Sequence, residues 1–108
     1  YLNVNEKYEF KFNIKTIGKG IYELPYIEFK SKIQPMPYIH IGMDYGTLLK
    51  LPDKIIFNKK YKLAKQFNEK TFSNIILNIG AVENEGNITM IIGDMDNEDI
   101  HKANFIFE

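Results

Sequence analysis

Two short runs in which apolar residues return at every second position constrain this chain more than any other feature. In Asn74-Ile75-Ile76-Leu77-Asn78-Ile79 the residues Ile75, Leu77 and Ile79 fall on one side of an extended backbone, with Asn74, Ile76 and Asn78 on the other. Ile88, Met90 and Ile92 repeat the pattern. A period of two suits a strand and not a helix. Between the runs lies Gly80 to Asn87, with two glycines and the polar cluster Glu83-Asn84-Glu85, and this predicts a β-hairpin over residues 71–92. The connection is too long for a tight turn, so the apolar faces set the register.

The same alternation runs through much of the remaining chain. Tyr8, Phe10, Phe12 and Ile14 alternate with Glu9, Lys11, Asn13 and Lys15, giving a strand over Lys7 to Ile17 with one face in the core and one in water. Gly18-Lys19-Gly20 breaks it. A second extended segment continues to Ile33 with Ile27 and Phe29 inward, and Pro25 makes it an edge strand or two pieces joined at a bend. Pro35 and Pro37 stiffen the next stretch. In Tyr38 to Met43 the residues Ile39, Ile41 and Met43 face one way, Tyr38 and His40 the other. Ile55-Ile56-Phe57 reads as a further buried strand. Lys59 to Lys70 fits a helix face through Tyr61, Ala64 and Phe67 or a strand through Tyr61, Leu63 and Phe67; in a chain of short strands the strand is preferred. Gly93 to Asp99 reads as an acidic loop, and Ala103, Phe105 and Phe107 share one face of a last strand. About eight antiparallel strands without a convincing helix predict an all-β fold, a β-sandwich or jelly roll.

Composition narrows the function. The 108 residues make a single domain over 1–108, large enough for a real core, and the opening on Tyr1 reads as a piece excised from a longer protein. Without cysteine there is no disulfide framework and no thiolate zinc site. Fourteen basic residues, all lysine, balance fourteen acidic ones, so no net field draws nucleic acid or an anionic membrane. No apolar run approaches a membrane span, so membrane insertion is not expected.

The order of pieces resembles the jelly-roll carbohydrate-binding modules of the galactose-binding-domain-like superfamily. An early aromatic strand of the type xYxFxFxxK is matched by Lys7-Tyr8-Glu9-Phe10-Lys11-Phe12-Asn13-Ile14-Lys15, and a Y-x-x-x-x-F strand by Tyr61 to Phe67 with one residue of slippage. A strand ending in Ile-Gly, a glycine and a final strand are matched by Ile75 to Gly80, Gly86 and His101 to Glu108. The resemblance implies a non-catalytic accessory domain that binds carbohydrate, with its opening strands before Tyr1. It favours a bacterial protein in an extracellular or cell-envelope setting, although composition leaves the compartment open. The tryptophans that commonly form the sugar platform in such modules are absent here. Gly20-Ile21-Tyr22-Glu23-Leu24-Pro25 also resembles the GxYxLP hairpin of bacterial surface sandwiches, which implies an immunoglobulin-like structural or protein-contacting domain instead. An accessory fragment of an enzyme is the third reading.

No residue set points to catalysis or to a cofactor. Ser31 and Ser73 lack nucleophile-elbow glycines. Glu9, Glu23 and Glu28 are carboxylates without a defined separation. Read as an EF-hand from Asp94, the acidic loop has Asp99 in place of the turn glycine and Phe105 in place of the closing glutamate, so a solvated turn is preferred to a calcium site. His40 and His101 have no metal-ligand spacing. Tyrosine is the more useful signal: Tyr22, Tyr26, Tyr38 and Tyr45 cluster between residues 22 and 45. A phenol ring stacks on the C–H face of a sugar while its hydroxyl keeps a hydrogen bond, and it suits protein interfaces equally. The candidate face is therefore Tyr22, Tyr26, Tyr38, His40 and Tyr45 with Glu9, Lys11 and Asn13 on the outer side of the first strand. Asn78 and Gln34 can add directional hydrogen bonds. The expected partner is a glycan or a protein surface.

Overall fold

The alternating runs become strands in the computed structural model, which describes residues 2–13, 21–22, 25–43, 54–62, 67–68, 74–95 and 97–108. Among these residues there are nine strands and no helix: β1 (Tyr8–Asn13), β2 (Ile21–Tyr22), β3 (Pro25–Ser31), β4 (Ile39–Met43), β5 (Lys60–Lys62), β6 (Phe67–Asn68), β7 (Asn74–Ile79), β8 (Gly86–Asp94) and β9 (Asn97–Phe107). They form a three-stranded sheet in the order β1-β7-β4, a four-stranded sheet in the order β5-β3-β8-β9, and the small pair β2-β6. Every ladder is antiparallel. The fold is an all-β sandwich, with its core between the two larger sheets.

Register explains which side chains meet. In the three-stranded sheet the inward rows are Tyr8-Ile79-Ile39, Phe10-Leu77-Ile41 and Phe12-Ile75. In the four-stranded sheet they include Tyr61-Ile27-Ile92 and Phe29-Met90-Ala103. Ile27, Phe29, Ile75, Leu77, Ile79, Met90 and Ile92 are all sealed from water, while Phe10 and Phe12 pack on the same cluster half-buried. The aromatic and branched residues that alternate in sequence thus fill the layer between the sheets.

Three expectations change. Residues 71–92 do not form a hairpin: β7 belongs to the three-stranded sheet and β8 to the four-stranded one. The connection crosses the sandwich instead, pinned by the fully buried Val82, whose carbonyl accepts the Asn5 N–H at 2.7 Å. Both strands needed a buried face, and placing them in opposite sheets satisfies both. The actual hairpin is β8-β9, in which Asp94 stands opposite Asn97; the predicted acidic loop over 93–99 shrinks to the two residues between them, and Asp94 is buried. The second extended segment is in two pieces, β2 and β3, in different sheets, as one of its two expected forms has it, and among the described residues Pro25 is not on an edge strand. It is the first residue of β3, which is flanked by β5 and β8, and at that position its missing N–H costs little. Ile55-Ile56-Phe57 is not a strand: Ile55 plugs the core, Ile56 is exposed, and the chain turns at Asn58, whose φ of 63° and N–H bond to the Phe29 carbonyl at 2.6 Å fix the corner. The strand preference over residues 59–70 holds where the chain is described, in β5 and β6. Tyr61 faces the core there.

Gly86 opens β8 with φ at 150°, and a Cβ there would lie 2.9 Å from Ile33 Cγ1, so both backbone and packing require glycine.

Candidate functional site

The outer face of the three-stranded sheet follows from the same registers that build the core. With Phe10, Leu77 and Ile41 inward, the alternate residues must point out. They form the rows Glu9-Asn78-His40 and Lys11-Ile76-Gly42. One step beyond the ladder in the other direction, the Gly80 N–H bonds the Tyr38 carbonyl at 2.7 Å, and this extends the face to a row of Lys7, Gly80 and Tyr38. Residues far apart in sequence are thereby brought onto one surface.

Gly80 shapes that surface. A Cβ on it would sit 3.1 Å from the Tyr38 Cβ, so the hydrogen side chain lets Tyr38 stand close and leaves the floor low between Lys7 and Tyr38. The result is an open groove of about 620 Å³ bordered by Lys7, Glu9, Met36, Tyr38, Asn78 and Gly80. Its size falls in the range of small-molecule sites, roughly 300 to 1,000 Å³. Tyr38 is 56% exposed, the most open large hydrophobic side chain among the described residues. Its ring lies parallel to that of His40, with 2° between planes and 6.4 Å between centroids. Beneath, the Tyr8 hydroxyl accepts the Asn3 N–H at 2.8 Å, which ties the chain leading into β1 to the strand beside the groove. The groove offers a flat aromatic wall, a carboxylate, an ammonium and a carboxamide.

The structure thus brings together Tyr38, His40, Glu9 and Lys11, with Asn78 between Glu9 and His40; Asn13 pairs through its backbone with Asn74, and its side chain lies outside the described residues. It separates two other candidates from them. Tyr26 is in β3 of the other sheet and only 7% exposed, beneath the Lys60 ammonium at 4.9 Å, so it is closed to a ligand. Tyr22 is in β2, paired with Phe67 in the two-stranded sheet. Tyr45 lies outside the described residues. Gln34 is away from the face, where its carbonyl accepts the Asn84 amide. Lys7, Met36 and Gly80 were not legible as site residues. The signal that could have found Gly80 is its position two residues after Asn78, on the outer side of β7.

A second groove of about 540 Å³ lies among Lys30, Ser31, Lys32, Asn58, Asn87 and Thr89. It offers no aromatic wall, and its polar groups bond one another. The Ser31 hydroxyl donates to the Asn87 carbonyl at 2.7 Å and accepts the Ile33 N–H at 3.1 Å, and Thr89 donates to Asn104 at 2.8 Å. Ser31 is thereby engaged structurally. Among the described residues no three histidine or acidic side chains converge as a metal site, and no helix is long and apolar enough to cross a membrane. No family model, curated protein or solved structure matches the chain.

Proposed function

We propose that this chain is a non-catalytic binding module of a larger protein, of the jelly-roll carbohydrate-binding kind, that takes a glycan in the groove on the outer face of the three-stranded sheet. The observation that carries the reading is Tyr38, which stands open to solvent beside Gly80 and parallel to His40, with Glu9, Lys7 and Asn78 within the same patch. An exposed ring above a glycine floor supports stacking of a sugar's C–H face, and the flanking polar groups meet its hydroxyls. The balanced charge of the groove favours a neutral glycan over a polyanion. Screening the chain on a glycan array, alongside Tyr38→Ala, tests this. Binding by the native chain, lost in Tyr38→Ala while the melting temperature is kept, is the expected result. No glycan retained by the native chain, together with a lower stability of Tyr38→Ala, would overturn it.

A further inference from the structure

The groove beside Tyr38 changes character along the strands. At one end is the row Glu9-Asn78-His40, which is wholly polar. Next is the row of Lys7, Gly80 and Tyr38, where the glycine leaves a low floor between an ammonium and an aromatic ring. Antiparallel pairing then sends the chain before Tyr38 and the chain after Gly80 in the same direction. Met36, Pro37 and Ala81 therefore border the groove at its other end, and their side chains carry no N–H or O–H. Met36 is half-buried and Ala81 exposed, so both present carbon to the opening.

The polar groups of the groove are not engaged elsewhere. Among the described residues the side chains of Lys7, Glu9 and Asn78 make no hydrogen bond or ion pair, whereas in the second groove Ser31 and Thr89 are bonded to their neighbours. A ligand bearing hydroxyls alone satisfies Glu9 and Asn78 but lays polar groups on Met36 and Ala81, where nothing bonds them. An occupant that fits the whole length has hydroxyls at one end and an apolar group at the other. Lys7 narrows the choice. Its ammonium stands in the row next to the apolar end and has only donors to offer, so the apolar group must bring an acceptor with it. An acetamido group carries a methyl and a carbonyl oxygen on one carbon. The bare methyl of a deoxy sugar has no such acceptor.

We propose that the groove selects glycans that carry an N-acetylhexosamine, an inference that rests on the glycan-binding reading above. The pyranose ring stacks on Tyr38 over Gly80, and its hydroxyls meet Glu9 and Asn78. The acetyl methyl packs on Met36 and Ala81 while the acetyl carbonyl accepts a hydrogen bond from the Lys7 ammonium. The unbranched thioether side chain of Met36 adjusts readily to such a contact. Such a sugar is neutral, in keeping with the balanced charge of the groove. Tyr38 supplies affinity for pyranose rings in general, and Met36 with Lys7 supplies the choice among them. One extra carbon in an enclosed apolar pocket is worth roughly 10- to 200-fold in selectivity, and an open groove gives the low end of that range.

The test is titration calorimetry of the folded chain with paired ligands, with the amide signals of Gly80 and Ala81 followed by NMR. Chitotetraose and cellotetraose share one backbone and differ only in carrying acetamido or hydroxyl beside the anomeric carbon. Methyl N-acetylgalactosaminide and methyl galactoside differ in the same way. In at least one pair the acetamido member binds about tenfold tighter and shifts the Gly80 and Ala81 amides. Met36→Gln, close in size, and Lys7→Met, which keeps the stem and removes the donor, each reduce that preference to about threefold or less. The melting temperature and the binding of the hydroxyl member stay as in the native chain. Equal binding within both pairs, or tighter binding of methyl fucoside, overturns the selection for acetamido and leaves the glycan reading in place. Retention on the glycan array of only sugars without an acetamido group does the same. A preference that survives in both variants overturns the assignment to Met36 and Lys7. Binding to neither pair and to nothing on the array removes the glycan reading and this inference together.

Discussion

Tyr38 and Tyr26 hold equivalent places in the two sheets, each on the outer side and each followed by a buried isoleucine, Ile39 and Ile27, yet Tyr38 is 56% exposed and Tyr26 only 7%. The outer neighbours of Tyr38 are Gly80 and Lys7, and among the described residues β4 is the last strand of its sheet and no flanking strand covers the ring. β3 is flanked on both sides. Lys60 of β5 places its ammonium over Tyr26, and the adjoining outer positions Glu28, Ile91 and Gly93 are buried too. Alternation therefore assigns each residue to the inner or the outer face. Whether an outer face is wet depends on what the next strand lays across it.

The comparison breaks most readily at the closed face. Tyr26→Ala should lower stability by about 3 to 5 kcal/mol in urea unfolding, the usual cost of emptying a buried aromatic site. A loss below about 1 kcal/mol would show that this face is closed only in part. Lys60→Ala removes the lid and keeps the ring, so it should cost about 0.5 to 1 kcal/mol by the same measurement, as a cation over an exposed aromatic does. At the open face Tyr38→Ala should leave stability within about 0.5 kcal/mol of the native chain while abolishing glycan retention. A stability loss matching that of Tyr26→Ala would make the two faces alike and remove the proposed platform. Gly80→Ala sharpens the same point: its Cβ must push Tyr38 aside, so binding should fall although the strand persists. The smallest effect concerns Asp94, at the closed end of β8. If side chains alone hold that corner, a chelator leaves the melting temperature unchanged. A downward shift of several degrees would mean that a bound cation helps to seal it, since a ligand held only by the native state stabilises it.

Much of the fold was readable because it depends on local alternation. Tyr8, Phe10 and Phe12 face the core and Glu9 and Lys11 the solvent, as their spacing requires, and Tyr38 and His40 flank the buried Ile39. The site was half readable for the same reason. Each strand's outer residues could be named, but their joining into one surface depends on β1 and β4 both pairing with β7, at a separation in sequence that no local pattern encodes. The hairpin expectation over residues 71–92 failed on that point. Two adjacent runs with like faces are equally satisfied side by side in one sheet or facing each other across a core, and the buried Val82 marks the second arrangement. Tyr26 failed for a related reason, since its cover comes from Lys60.

By itself, then, the sequence determined an all-β chain, the inward and outward sides of its main strands, and a charge balance that leaves no strong field. These follow from period-two side-chain geometry and from composition, both properties of neighbouring residues. Tertiary structure alone decided which strands share a sheet, that Gly80 stands between Lys7 and Tyr38, and that Tyr26 is shut while Tyr38 is open. The reason is physical: alternation fixes the direction of a side chain, whereas pairing, cover and closure depend on burying every apolar face at once, which the whole chain satisfies together.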